Sequence, residues 1–328
     1  MAPISFAKSE RNRQEAFRAK SGAFPESGIE QGLVGGRSHP CMLPASSWNE
    51  NLFKEIRSQS EDYFRRRNIS WHRFKAHLLS SQICCLNFLM PFANREAALA
   101  TLLSPVIGNG AEMIAFDTVE NGAPTYVAFE WVGAEDYLNE GAGAKKIRNR
   151  GANCTSTDAA VMFQKNGHTE MLLIEWKYTE RYGQPLPGGE TARTERLRRY
   201  SSIAFDKDGP LKSGTSLELA DLFFEPFYQF FRQQMLAFQM QKAREAGCDR
   251  VRVLHIAPSG NVAFQKITAP KLTGSNAIDA WHNLLVDQTS FVSRSTESIF
   301  ARFDVEPFPE LRPWKAYVTG RYPSLMAA

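Results

Sequence analysis

The sequence is poor in the features that announce metal-stapled, secreted or nucleotide-hydrolysing proteins. Its five cysteines, Cys41, Cys84, Cys85, Cys154 and Cys248, form no C-x-x-C pair and have no histidine cluster beside them, which excludes a zinc module of ordinary spacing. An odd number of irregularly spaced thiols fits reduced cysteines and a cytoplasmic location. Met1 to Lys20 alternates charges without an apolar run, so no signal peptide is expected. Gly-x-Ser-x-Gly is missing, and Gly141-Ala-Gly143-Ala-Lys145-Lys146 lacks the second half of a P-loop. The six histidines show no ligand spacing, and His255 reads as a core residue of a strand. No single-sign charge field is present either, since 39 basic residues oppose 35 acidic ones. The longest uncharged stretch, Ala76 to Asn94, carries Ser80, Ser81, Gln82, Asn87 and Pro91; so many polar groups fit a buried helix, not a membrane span.

What the chain has is an ordinary globular composition, 328 residues with 43% hydrophobic and 23% charged, enough to bury a large core without a disulfide or metal. Residues 1–45 read as a loosely structured arm punctuated by Gly and Pro, with no persistent hydrophobic period. Residues 46–103 turn helical, with one helix through Asn49 to Arg67 and another from Ser70, as N-cap, to Phe88. Thr125 to Trp131 reads as a strand, as do Thr155 to Phe163, Glu170 to Lys177 and Val251 to Ile256. Gly183 to Gly214 reads as a long polar loop with a short helix near Thr194 to Tyr200. A long helix starts at Pro226 and stops at Gly247, and two short ones follow near Ala277 to Val286 and Ser293 to Arg302. The order helix, three strands, helix, strand predicts an α/β fold with a mixed sheet flanked by helices.

The informative stretch runs from Cys154 to Lys177. Asn166-Gly167 between two β-rich runs predicts a two-residue type I′ hairpin. Lys165 then faces His168, and Asp158 faces Glu175 with side chains on one face. Lys177, two residues beyond Glu175, projects from that same face. Val161, Phe163, Leu172, Ile174 and Trp176 fall on the other face, while Ala160, Met162 and Leu173 share the Asp158 face. Both faces are apolar, as in a central strand covered on both sides. A solvated surface hairpin is the simpler alternative. Two opposed carboxylates in an apolar setting repel and resist desolvation, and a divalent cation with hard oxygen ligands, magnesium or manganese, together with Lys177 would compensate them.

Asp158 followed by Met171-Leu-Leu-Ile-Glu175-Trp176-Lys177 resembles the signature of the PD-(D/E)XK nuclease superfamily, whose restriction-endonuclease-like core is helix, three antiparallel strands, helix and strand. The wider string from Arg150 to Ala159, with Ile174 to Glu180, is similar to a bacterial branch of that group. The resemblance implies a single nuclease domain over 46–328, with N-terminal helices (46–103), a catalytic core at about 70–258 and a C-terminal extension (259–328). It implies Mg2+-dependent hydrolysis of DNA phosphodiester bonds, in restriction, defence or mobile-element biology. Asp158, Glu175 and the backbone carbonyl of Trp176 would hold the metal, and Lys177 would orient and help deprotonate the attacking water. The family's naming proline is replaced by Thr157. Where many members add a glutamate from the first core helix, this chain offers Gln82, with Glu130 on the first strand as the other candidate.

Further candidates surround this set. Glu180 and Tyr182 leave the second carboxylate strand. Gln229, Arg232 and Gln233 form a polar stripe on an aromatic helix, placed to face the site or the phosphate backbone. Basic residues gather at Arg65-Arg66-Arg67 with Arg73 and Lys75, at Lys145, Lys146, Arg148 and Arg150, and at Arg193, Arg196, Arg198 and Arg199. The middle group, spaced by glycines that permit close backbone approach, is the candidate contact to a nucleic-acid backbone. Two other functions stay open: a nucleic-acid-binding module that keeps the fold without turnover, and a nuclease for RNA or repair intermediates. The sequence does not decide whether two copies pair as a homodimer.

Overall fold

The structure, a computed structural model, describes residues 4–20, 22, 24–118, 124–141, 147–148, 154–183, 186–214 and 216–327. In chain order its elements are α1 (Phe6–Lys20), a small ribbon of β1 (Leu33–Val34) and β2 (Arg37–Ser38), α2 (Arg57–Arg66), α3 (Ser81–Leu89) and α4 (Glu96–Ile107). Then come β3 (Glu112–Ile114), a second ribbon of β4 (Asp117–Thr118) and β5 (Pro124–Thr125), β6 (Val127–Trp131), β7 (Thr157–Lys165) and β8 (His168–Trp176). They are followed by α5 (Gly189–Ala204), α6 (Phe227–Lys242), β9 (Arg250–Ala257), α7 (Ala277–Leu284), β10 (Phe291–Ser295), α8 (Thr296–Phe300) and α9 (Arg312–Arg321).

One mixed sheet organises the molecule. β7 and β8 pair antiparallel, while β8, β9 and β10 run parallel to one another. The other edge of β7 is covered in series by β3, opposite Met162 to Gln164, and by β6, opposite Thr157 to Val161. The central strands read as near-continuous hydrophobic runs because both faces are covered, and their side chains divide between two cores. Ala159, Val161, Phe163, Leu172, Ile174 and Trp176 pack under α2, α3, α4, α8 and α9. Ala160, Met162, Met171 and Leu173 pack under α5, α6 and α7. The turn joining β7 to β8 has positive φ at both Asn166 (52°) and Gly167 (80°), as a type I′ turn requires. It sets Lys165 opposite His168 and carries the register to Ala159 opposite Ile174.

Several elements differ from the sequence reading. The arm over residues 1–45 contains α1, whose buried positions are Glu10, Gln14 and Arg18. Its inward stripe is polar, so a search for hydrophobic period finds nothing there. The N-cap of α3 is Ser80, whose hydroxyl accepts from the Ile83 amide, and not Ser70. Residues before it are held away from helix geometry by an extended bridge: the amides of Leu43 and Leu78 donate to the carbonyls of Ala76 and Cys41. In the polar segment after β8, α5 spans 16 residues because Glu195 pairs with Arg198 and Arg199 along the helix and Tyr200 and Ala204 are buried. Those pairs also neutralise part of the third basic group. β3, β10 and α9 were not expected. All five cysteines are free thiols. Among the described residues no helix is long and apolar enough to cross a membrane.

Candidate active site

The ladder between β7 and β8 closes at Ala159 and Ile174, and side chains take over its last hydrogen bonds. The Thr157 hydroxyl donates to the Ile174 carbonyl (2.6 Å), and the Trp176 amide donates to Oδ2 of Asp158 (2.7 Å). Asp158 is thereby fixed by the backbone of the neighbouring strand and lines a cavity of about 320 Å³. Glu175 and Lys177 line the same cavity. The Lys177 ammonium donates to Oε1 of Glu175 at 2.6 Å, and both side chains are buried.

α6 supplies the rest of the carboxylate's shell. Gln229 donates to Oε1 of Glu175 (2.6 Å), and Gln233 donates to Oε2 (2.7 Å) and to the Ser156 carbonyl (2.9 Å). Gln229 and Gln233 are one helical turn apart, so they meet the carboxylate from adjacent positions on one face. Arg232 lines the cavity between them, donating to the Thr155 hydroxyl at 3.3 Å and lying 4.9 Å from the Tyr228 ring. Its buried Nε atom has no hydrogen-bond partner among the described residues.

The electrostatics are unbalanced at Asp158. Burial pushes its carboxyl well above the usual range, the neighbouring Glu175 charge adds to this, Glu130 adds less, and Lys177 opposes them. At Lys177 burial pulls the ammonium down, but Glu175 together with Tyr182, Glu180 and Asp158 outweighs it and the pKa stands above the ordinary lysine value. Lys177 and Glu175 therefore form a compensated ion pair, whereas Asp158 keeps one amide bond and faces a like charge.

The other predicted residues fall as follows. Glu130 lies between Phe129 and Trp131, which pair with Ala159 and Thr157, at a positive φ of 50°, a strained setting for a non-glycine residue. It accepts from Gln82 (2.6 Å) and Ser156 (3.3 Å), so Gln82 acts as a strut for Glu130, and the Gln82 Oε1 accepts from the His72 amide. Glu180 accepts from the Tyr178 amide at 2.6 Å and lines a different cleft. Tyr182 packs edge-on against Phe264. Arg148 spends its guanidinium on the carbonyls of Gly133, Ala134 and Glu135. This is a loop-closing role, and it takes those donors away from a phosphate. Lys145, Lys146 and Arg150 lie outside the described residues.

Sequence reasoning missed the opposite wall of the cavity. Glu140 accepts from Thr155 and from Tyr200 on α5, and Tyr228 donates to the Tyr200 hydroxyl. Glu140 sits in a glycine-rich connection and Tyr200 on α5, about sixty residues further along the chain, so no local pattern joins them.

The donor set suits a hard divalent cation: two carboxylates and a strand backbone at one sheet end, with Asp158 short of positive partners. Among the described residues there is no cluster of three or more His, Cys, Asp or Glu that could hold a metal, so water would have to complete such a shell. Neither a curated protein nor a solved structure matches the chain. The family described as "Restriction Endonuclease associating with ARP" matches residues 11–323, and the mixed six-stranded sheet flanked by helices is consistent with a restriction-endonuclease-like fold. The chain belongs to this restriction endonuclease family.

Proposed function

We propose that the protein is a divalent-metal-dependent nuclease that hydrolyses DNA phosphodiester bonds at Asp158, Glu175 and Lys177. The observation that carries this reading is the meeting of those three side chains at one sheet end, with Asp158 held above its ordinary pKa by burial and by Glu175. Membership of a restriction endonuclease family supports DNA as substrate. Asp158, Glu175 and the Trp176 carbonyl would hold a magnesium ion, which supplies polarisation of a phosphoryl oxygen and a lowered pKa for a bound water.

The chain's own groups do the positioning. Gln229 and Gln233 fix both oxygens of Glu175, so the carboxylate cannot rotate away. Lys177, charged and anchored on Glu175, presents its remaining N–H groups to the cavity, where they can hold the attacking water and steady the phosphate. Arg232 adds a second cation in the same cavity. Phosphodiester hydrolysis then needs only in-line approach of water to the phosphorus and a proton acceptor near it. The family description names an association with ARP.

The test is cleavage of plasmid and oligonucleotide DNA by the full chain with Mg2+ and with EDTA, alongside Asp158→Asn and Lys177→Ala. Cutting that needs the ion and drops at least about a hundredfold in both variants is expected. Undiminished cutting in either variant would remove the site assignment. Binding without cutting under every divalent ion would favour a silent binding module.

A further inference from the structure

A second cleft opens beside the catalytic strand, on the side away from α6. It encloses about 480 Å³ between α1, the β1–β2 ribbon, the segment before α3, and Thr179 and Glu180, which follow Lys177 on the exit of β8. That volume is in the range of small-molecule sites. Its lining is mixed. Val34, Phe74 and Leu79 are apolar, with Val34 41% and Phe74 40% exposed. Arg11, His39, His72 and His77 are polar, and the His72 ring meets the Phe74 ring edge-on at 5.4 Å.

The three histidines share one local arrangement. In each, the backbone amide two residues on donates to the ring's own Nδ1: Cys41 to His39 (3.2 Å), Phe74 to His72 (3.4 Å) and Leu79 to His77 (3.1 Å). A neutral imidazole whose Nδ1 accepts must carry its hydrogen on Nε2. The three rings therefore present N–H donors rather than lone pairs, a set that fits an anion and not a metal ion. Burial, helped by His39 and Arg11, pushes His77 down to about 4, so at neutral pH it is an uncharged donor. Arg11 is exposed and makes no guanidinium hydrogen bond among the described residues. The one carboxylate among the described lining residues, Glu180, accepts from the Tyr178 amide through one oxygen. The Arg73 guanidinium lies 4.5 Å over one face of the Phe74 ring.

An exposed aromatic ring in the same cleft as a set of N–H donors matches a nucleotide, with a π-face at one end and a phosphate at the other. We propose that this cleft seats one nucleotide of the substrate strand flanking the cut phosphate, its base on Phe74 and its phosphate on Arg11 and the imidazole N–H groups. The inference rests on the nuclease reading above and adds a subsite to it. The catalytic strand itself connects the two places, since Lys177 and Glu180 lie on the same strand exit.

The full chain is mixed with a fluorescein-labelled single-stranded oligonucleotide in EDTA and followed by anisotropy, as wild type, as the double variant Arg11→Ala/Phe74→Ala, and as His72→Ala. All three positions are exposed, and an unchanged melting midpoint checks the fold. The double variant is expected to weaken binding about tenfold or more, on the scale of a lost stacking contact. A 5-iodouracil oligonucleotide should crosslink to Phe74. Wild-type affinity in the double variant, or crosslinking confined to other residues, overturns this subsite and leaves the nuclease reading standing. Failure of the wild-type chain to bind the oligonucleotide at all, in EDTA or with Mg2+, overturns both.

Discussion

Asp158 and Lys177 lie in one cavity, yet their removal should move stability in opposite directions. Asp158→Asn keeps an acceptor for the Trp176 amide and removes a charge that repels Glu175. In metal-free buffer it is expected to gain on the order of 1 kcal/mol. Lys177→Ala strips the buried Glu175 of its counter-ion and should cost about 3 kcal/mol, even though two glutamines remain on the carboxylate. Urea titrations read both, and a loss of stability in Asp158→Asn would contradict the like-charge account. His77 gives the pH side of the same physics. Its folded pKa, pushed down to about 4 by burial, His39 and Arg11, lies below the ordinary histidine value near 6.5. The unfolded chain therefore binds the extra proton first, and stability falls as pH drops from about 6.5 toward 4. Replacing His77 by Asn should flatten that part of the melting-temperature profile; an unchanged slope would assign it elsewhere.

At the scale of elements, the β7–β8 hairpin carries the site because its turn fixes its register. Gly167, at φ 80°, has open space around a would-be Cβ, so Gly167→Ala meets strain alone. A cost of about 1 kcal/mol is expected, visible as a lower melting midpoint with cleavage intact at low temperature. α1 is tied to the same strand by polar contacts. Glu10, fully buried, accepts from the hydroxyls of Tyr178 (2.8 Å) and Ser324 (2.7 Å), and Gln14 donates to the Arg321 carbonyl. Tyr178 directly follows Lys177. Glu10→Ala should cost about 1–3 kcal/mol by leaving those hydroxyls unpaired, and it should lower cleavage as well, because the strand exit loses its anchor. Lost stability with wild-type kcat would confine α1 to a structural role. The hairpin was legible in the sequence because Asn166-Gly167 and the alternation around it are local signals. α1 was not, because its buried stripe of Glu10, Gln14 and Arg18 has the composition of a solvated face.

Across the whole molecule, the sheet separates two cores, and the candidate site opens on the face packed under α5, α6 and α7. Ile174, fully buried in the core under α3 and α9, lies next to Glu175, which faces α6. Ile174→Ala is expected to cost about 2–5 kcal/mol and to lower activity only as far as it unfolds the chain. The same division explains which parts of the site could be read in advance. Asp158, Glu175 and Lys177 share a face by strand periodicity, so their spacing in the chain already implies their meeting. Gln229 and Gln233 were readable as a polar stripe on an aromatic helix, but nothing local shows that the stripe ends on Glu175. Glu140 with Tyr200, and Arg11 with His39 and His77, come together only through packing between segments far apart in the chain.

The amino-acid order by itself determined the hairpin, its register, the two apolar faces and the carboxylate–lysine set, since each follows from turn chemistry and a period of two acting over neighbouring residues. Which helix closes over Glu175, what holds Glu130, and that a histidine-lined cleft adjoins the strand exit were decided by tertiary structure. Those contacts depend on how the two cores pack against the sheet, and no short-range preference encodes that distance in space.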